Sequence, residues 1–259
     1  MKILNRTVVV LYGFYAWSTL LMFGAATLIV LLILPGLRLR SVVGSYCARA
    51  WLIVVGVRID YKGEELLPDT PSVIVANHSG YVDGVLLKAI LPARFAFVIK
   101  KEMVRVPLAG LLLRRLGAEF VDRFNRHSGA MDARRLMRAA SGGGSLVFFP
   151  EGTFTGRPGL ARFHGGAFTI AARTRMPVVP LAIRGARHLL RSDSIWPRPG
   201  RVTIEVLVPV LAPDLSQSTA VANYQRDHSR AKLLLALGEP DLADDDGIAT
   251  LAAERKKTQ

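Results

Sequence analysis

The chain has 259 residues, 51% of them hydrophobic, and carries 34 Lys and Arg against 20 Asp and Glu for a formal net charge of +14. That length holds one sizeable α/β domain with an appendage and excludes a long string of domains. A mean hydropathy of +0.31 and a pI near 10.6 point to membrane contact and anionic partners. The single cysteine, Cys47, excludes an intrachain disulfide and a cysteine-rich metal site.

The first element is an uncharged run from Thr7 to Leu34. As a helix rising ~1.5 Å per residue it reaches ~40 Å, enough to cross a ~30 Å hydrocarbon core. It is too long for the apolar core of a cleavable signal, which runs about 7–15 residues. Pro35-Gly36 breaks it, Arg38 and Arg40 follow, and a second apolar stretch from Val42 to Val57 is interrupted by Arg49. A mid-span arginine is costly, so the second stretch is not expected to cross a bilayer. Lys2 and Arg6 before the run balance Arg38 and Arg40 after it, which leaves orientation weakly marked. Three arrangements fit: one true span, a helical hairpin lying partly in one leaflet with Pro35-Gly36 at its turn, or a buried core helix. Residues 1–57 are expected to anchor the chain to a membrane.

From about Tyr61 short apolar runs alternate with helical segments. Strands are expected at Ser72–Ala76, Phe95–Ile99, Glu119–Asp122, Ser145–Phe149, Val178–Ile183 and Val202–Val208. Between them, Tyr81–Leu91, Pro107–Leu116, Ser128–Ala140 and Ala167–Arg175 read as helices, the last three with basic faces. This alternation predicts an α/β fold, a mixed sheet flanked by helices, over residues 58–213. Ser141-Gly142-Gly143-Gly144 is a helix stop rather than a phosphate loop, since GxxxxGK[ST] is missing. Residues 214–259 are expected to form a C-terminal helix, Val221–Leu237, and a solvated tail that includes Asp244-Asp245-Asp246.

The chemistry gathers at the ends of strands. Asn77-His78-Ser79-Gly80-Tyr81-Val82-Asp83 follows the first expected strand and opens a helix. Active sites of α/β sheets gather at such carboxyl ends. A histidine steadied by a carboxylate is the commonest general base near neutral pH, although a polar cap with a first-turn acid has the same composition. Phe120-Val121-Asp122-Arg123 ends another strand. Phe149-Pro150-Glu151-Gly152-Thr153 ends a third, and Val179-Pro180 lies in a fourth.

This ordered set resembles the glycerolipid acyltransferases, the lysophosphatidic acid acyltransferase-like enzymes. The resemblance rests on Asn77, His78 and Asp83, on Phe120 and Arg123, on Phe149 to Thr153, and on Val179-Pro180, and covers roughly residues 60–210. The chain departs from the family pattern at Gly80, where serine is usual, at Phe154, and at His164, where a lysine is usual. The resemblance implies transfer of a fatty acyl group from acyl-CoA or an acyl carrier protein to the hydroxyl of a lysophospholipid. It implies 1-acylglycerol-3-phosphate as acceptor and phosphatidic acid as product, at the cytoplasmic face of a bacterial inner membrane. It also places Asn77, Glu151, Gly152 and Thr153 in the acceptor site.

In that reading His78 is the base and Asp83 holds its tautomer, with no acyl-enzyme required. Arg123 grips an acceptor phosphate. Glu151 orients Arg123 or bonds a hydroxyl. Ser79 is a helix cap, and backbone N–H groups after His78 or near Gly152 steady the oxyanion. Lys100, Lys101, Arg105, Arg114 and Arg115 are candidates to dock anionic lipid or an acidic carrier. No cofactor and no metal are expected, because the acidic residues and histidines lack ligand spacing. Rival readings are the same transfer onto another lysolipid such as a lyso-ornithine lipid, a non-catalytic lipid-binding module, and a nucleic-acid-binding protein. The last lacks zinc-finger or RNP signatures, so no nucleic-acid partner is expected.

Overall fold

A computed structural model describes residues 2–122, 126–153, 157–190 and 194–244, with backbone alone for 2–6 and 126–130. Helices α1 (Lys2–Ile33) and α2 (Leu37–Val54) form a hairpin. Its turn is Pro35-Gly36, and Gly36 takes φ 72°, a conformation that favours glycine. There follow β1 (Val57–Lys62), β2 (Val73–Ala76), α3 (Asp83–Ile90), β3 (Phe95–Lys100), α4 (Ala109–Arg115), β4 (Glu119–Val121) and α5 (Arg126–Ser141). Then come β5 (Ser145–Phe148), β6 (Leu160–Ala161), α6 (Gly166–Thr174), β7 (Val178–Arg184), α7 (Ala186–Leu189), β8 (Gly200–Val206), α8 (Ser218–Leu237) and β9 (Asp241–Leu242).

Seven strands form one sheet in the order β1-β8-β7-β2-β5-β3-β4. Neighbours run parallel except β7 and β8, which are antiparallel, so the sheet is mixed as expected. Strand β2 lies at the centre and is fully buried. Its side chains alternate across the sheet as the period of two demands. Ile74 and Ala76 join Leu86, Leu87, Leu52 and Val55 in a core beneath α2 and α3. Val73 and Val75 join Leu136, Phe168, Ala171 and Leu233 in a second core beneath α5, α6 and α8. The domain is therefore three layers, with the hairpin on the α3 side.

The structure adds to the sequence reading in two places. Strand β1 occupies Val57–Lys62, the start of the expected α/β domain, where no strand was expected; its polar alternation, Arg58, Asp60 and Lys62, suits an edge strand. The C-terminal helix packs into the domain. Val221, Ala222 and Leu233 of α8 lie in the second core, and β9 pairs with β6. Arg230 of α8 donates to Leu160 O at 2.8 Å and to Ala161 O at 3.2 Å, which ties it to the same strap. The acidic tail beyond residue 244 lies outside the described residues.

The hairpin rides on the domain along its length. Towards the middle of α1, Tyr12 Oη donates to Val55 O at 2.7 Å, Tyr15 Oη to Val54 O at 2.9 Å, and Trp17 Nε1 to Ile195 O at 2.7 Å. At its C-terminal end the Arg115 guanidinium donates to Leu31 O and Leu32 O, both at 2.7 Å through Nη2. Those carbonyls are the orphans of a helix C-terminus, and a cation there also complements the helix dipole. Arg115 is thereby a structural clamp, not one of the free docking cations expected from sequence. Lys88 of α3 is buried beneath α2, where its Nζ donates to Ser41 Oγ at 2.6 Å. Burial lowers its pKa to about 8.

Candidate active site

Strand β2 ends at Ala76, and the next residue extends the ladder with its side chain. Asn77 Oδ1 accepts from Ile183 N at 2.7 Å, and its Nδ2 donates to Ile183 O at 2.9 Å and to Ser79 Oγ at 3.0 Å. The amide thus imitates a backbone pair with β7 and fixes where the chain leaves the sheet. Asn77 is buried, so its task is to hold the loop rather than to meet an acceptor.

The loop then folds around Asp83, which is fully buried in the first turn of α3. Its Oδ2 lies 2.9 Å from His78 Nδ1 and accepts from Ser79 N at 2.6 Å and Gly80 N at 2.9 Å. Donation from Nδ1–H to a carboxylate places the imidazole lone pair on Nε2. The ring stacks on Phe149 with centroids 4.3 Å apart and planes at 23°, and its side chain is 20% exposed. Carboxylate and aromatic together hold the imidazole in one orientation while leaving an edge accessible to substrate.

Beside β2 in the sheet, β5 delivers the second half of the site. Phe149 to Gly152 make a tight turn, Gly152 N donating to Phe149 O at 3.1 Å, with Gly152 at φ 74° where a side chain is disfavoured. Glu151 points inward. Its Oε1 accepts from His78 N at 2.7 Å and its Oε2 from Ala161 N at 2.9 Å. Burial pushes this carboxyl up to about 7, against the pull of those two amides and of Arg187. Arg187 is itself paired with Glu239 at 2.7 Å. Glu151 therefore braces the backbone of the catalytic loop, a different task from the expected contact with Arg123 or an acceptor hydroxyl.

Two further expectations are corrected. Ser79 does not cap α3: the residue before the helix is Val82, with no side-chain cap bond, and Ser79 donates its N–H to Asp83 while its hydroxyl oxygen accepts from Asn77 Nδ2. The amides of His78, Ser79 and Gly80 are committed to carboxylates and Gly152 N to Phe149 O, so none of these four is an oxyanion donor in this arrangement. Gly80 also has a packing reason: a Cβ there would sit 3.1 Å from Leu190 O.

The carboxyl edge of the sheet thus brings together Asn77, His78, Asp83, Glu151, Gly152 and Thr153. Arg123 and Phe154 lie outside the described residues. Among the described residues, no group of three or more His, Cys, Asp or Glu is arranged to hold a metal ion. Sequence reasoning missed the Glu151 brace and the Phe149 stack. The only hint of either was their place in one motif at the end of a strand adjacent to β2.

The sequence model of the acyltransferase family matches residues 58–184, the span that carries β2 to β7 with Asn77, His78, Asp83, Glu151, Gly152 and Thr153. Residues 58–184 are an acyltransferase-family domain. A 1-acyl-sn-glycerol-3-phosphate acyltransferase of Cocos nucifera is 29% identical over 190 residues, 72% of this chain and 61% of that protein. A chloroplastic 1-acyl-sn-glycerol-3-phosphate acyltransferase of Brassica napus is 33% identical over 162 residues, 61% of this chain and 47% of that one. The chain therefore spans about half of the length of these curated relatives. The crystal structure of the 1-acyl-sn-glycerophosphate acyltransferase PlsC from Thermotoga maritima superposes with a TM-score of 0.69, covering 90% of this chain and 96% of that one, at 22% identity. At that identity the likeness establishes the fold.

Proposed function

We propose that this acyltransferase moves a fatty acyl group from an acyl thioester to the hydroxyl of a lysophospholipid, with 1-acylglycerol-3-phosphate as acceptor and phosphatidic acid as product. The observation that carries the reading is the buried Asp83 carboxylate 2.9 Å from His78 Nδ1 at the carboxyl edge of the sheet. Binding a lipid requires no oriented base; deprotonating an alcohol at neutral pH does. The names of the relatives support the choice of acceptor.

The chemistry follows from the geometry. His78 Nε2 takes the acceptor proton as the oxygen attacks the thioester carbonyl. The imidazolium is stabilised by Asp83, which stays ionised. Collapse of the tetrahedral intermediate breaks the C–S bond, and the departing thiolate receives the proton from His78. Ester and free thiol result, with no covalent enzyme intermediate and no metal or cofactor in the cycle. Arg123, Gly152 and Thr153 are assigned to the acceptor head group, Arg123 by bidentate bonds to phosphate. Glu151 and Asn77 hold the loop. The donor is acyl-CoA or an acyl carrier protein.

Membrane association completes the reading. Helix α1 has an apolar stretch from Thr7 to Ile33 of which 22% of the most apolar window is buried, unlike a core helix. Leu11, Phe14, Leu21, Met22, Ile29 and Ile33 stand exposed. Because α1 is bonded to the domain from Tyr12 to Trp17 and again at its C-terminal end, a perpendicular span would drag Val55 and Ile195 into the hydrocarbon. A hairpin lying in the plane of one leaflet avoids that cost and puts the catalytic edge beside the lipid surface. We assign that leaflet to the cytoplasmic face of a bacterial inner membrane.

The test is product identification. Membranes bearing the protein are incubated with labelled acyl-CoA or acyl carrier protein and a panel of lysophosphatidic acid, lyso-ornithine lipid and other lysolipids. Labelled phosphatidic acid is expected; label in another lipid alone reassigns the acceptor, and no esterified product with any acceptor refutes the reaction.

A further inference from the structure

Between β3 and α4 the chain passes through a 3-10 turn, Lys101–Arg105, and then a bend that holds apolar side chains in the open. Val106 is 42% exposed, Leu108 60% and Leu111 43%. Leu108 has φ 59° and ψ −51°, and Ala109 N donates to Pro107 O at 2.6 Å. This is a γ-turn of the rare, strained hand, a conformation that residues with side chains avoid. Only Leu108 and Arg175 among the described non-glycine residues have positive φ. A strained leucine that buries little of itself against its own protein gains its compensation from something outside the protein.

The position of the turn says what that is. Leu111 and Arg115, spaced i and i+4, share one face of α4, and Leu108 immediately precedes the helix. The Arg115 end of this face holds the last carbonyls of α1. Gly117, just beyond, lies so close to Leu37 that an added Cβ would meet its Cδ1 at 2.5 Å. The face therefore continues the apolar surface of the hairpin turn, where Leu32, Ile33, Leu37 and Leu39 are also exposed. Arg38, Arg105 and Arg114, exposed beside these leucines, rim it with positive charge. An apolar centre with a guanidinium rim is complementary to an anionic bilayer: leucines enter the acyl region and arginines reach head-group phosphates.

We propose that the Val106–Leu111 turn is a second lipid-contacting element, built into the catalytic domain itself, which inserts beside the α1–α2 turn into an anionic leaflet. It rests on the membrane reading above and adds a fixed orientation to it. The turn leaves the carboxyl end of β3, the edge of the sheet that carries His78. Hairpin and turn, continuous along one surface, therefore make a broader footprint on the leaflet in which a lysolipid acceptor resides than the hairpin alone, which would let the domain pivot.

The test uses the full chain with Cys47→Ala and a nitroxide at one of three positions: Leu108→Cys, Leu21→Cys on the hairpin, or Leu235→Cys on α8, across the sheet. With phosphatidylcholine vesicles containing phosphatidylglycerol, relaxation by oxygen against a water-soluble nickel chelate reports depth. Labels at 108 and 21 are expected to favour oxygen several-fold over the label at 235. An aqueous signal at 108 with a lipid signal at 21 overturns this proposal and leaves the hairpin reading standing; aqueous signals at both overturn both. Separately, Val106→Gln with Leu108→Gln and Leu111→Gln should weaken partitioning to these vesicles by about tenfold or more, from the lost apolar insertion. Unchanged partitioning contradicts the proposal.

Discussion

Replacing Glu151 with Gln distinguishes a brace from an acceptor ligand. In the native loop each carboxylate oxygen accepts one backbone amide, His78 N at 2.7 Å and Ala161 N at 2.9 Å. Glutamine keeps one oxygen and turns an NH2 toward the other amide, donor against donor, in a buried place. The loss of one charge-assisted bond with a buried donor left unmet costs about 2–3 kcal/mol. If the strain falls on the loop that aims His78, kcat drops roughly 30- to 160-fold, one decade per 1.36 kcal/mol. KM for the acceptor should change little. A pH signature accompanies it. The Glu151 carboxyl titrates near 4.5 when unfolded and about 7 when folded. Between these values the folded chain binds more protons than the unfolded one, so its stability falls as pH rises from 4.5 to 7, by at most about 3.4 kcal/mol. Glu151→Gln should flatten that slope. The assay is steady-state acyl transfer with thermal unfolding of the detergent-solubilised protein across that pH range. An unchanged kcat with a raised acceptor KM, or an unchanged pH slope, would refute the brace.

Asp83→Asn should cut kcat by on the order of 10³–10⁴, because an amide N–H beside Nδ1 forces the wrong imidazole tautomer; steady-state kinetics on folded protein checks this. Lys88→Met should stabilise the chain by about 1–3 kcal/mol near pH 7, since it removes a buried ammonium with no carboxylate partner among the described residues, read as a raised Tm. The folded Lys88 titrates near 8 against 10.5 unfolded. The unfolded chain therefore binds more protons between those values, and wild-type stability should rise with pH across that window. Lys88→Met should lose the rise.

Much of the fold was legible because the sheet interior is written in period two and in continuous apolar runs. Strands β2, β5 and β7 are buried on both faces, and their sequences, Val73–Ala76, Ser145–Phe148 and Val178–Arg184, contain almost nothing else. Strand β1 was hidden because an edge strand carries Arg58, Asp60 and Lys62 and follows directly on an apolar helix. The His78–Asp83 spacing was readable since five positions bridge a loop and the first turn of the helix after it. What those residues bond to was not. Glu151 acts at a distance of 73 positions and Asn77 pairs with Ile183 across 106. Such partners are set by which strands lie side by side, and the order β7-β2-β5 is a property of the whole sheet. The docking role foreseen for Arg115 failed for a similar reason: the carbonyls it caps belong to α1, 84 positions earlier.

The central claim is that His78 deprotonates the acceptor hydroxyl. It is tested most directly by His78→Ala in membranes, with labelled acyl thioester and lysophosphatidic acid, at an expression level and vesicle affinity matched to wild type. The account predicts loss of labelled phosphatidic acid by at least about 100-fold, the lower end of general-base contributions. Undiminished product formation by the folded, membrane-bound variant would contradict it.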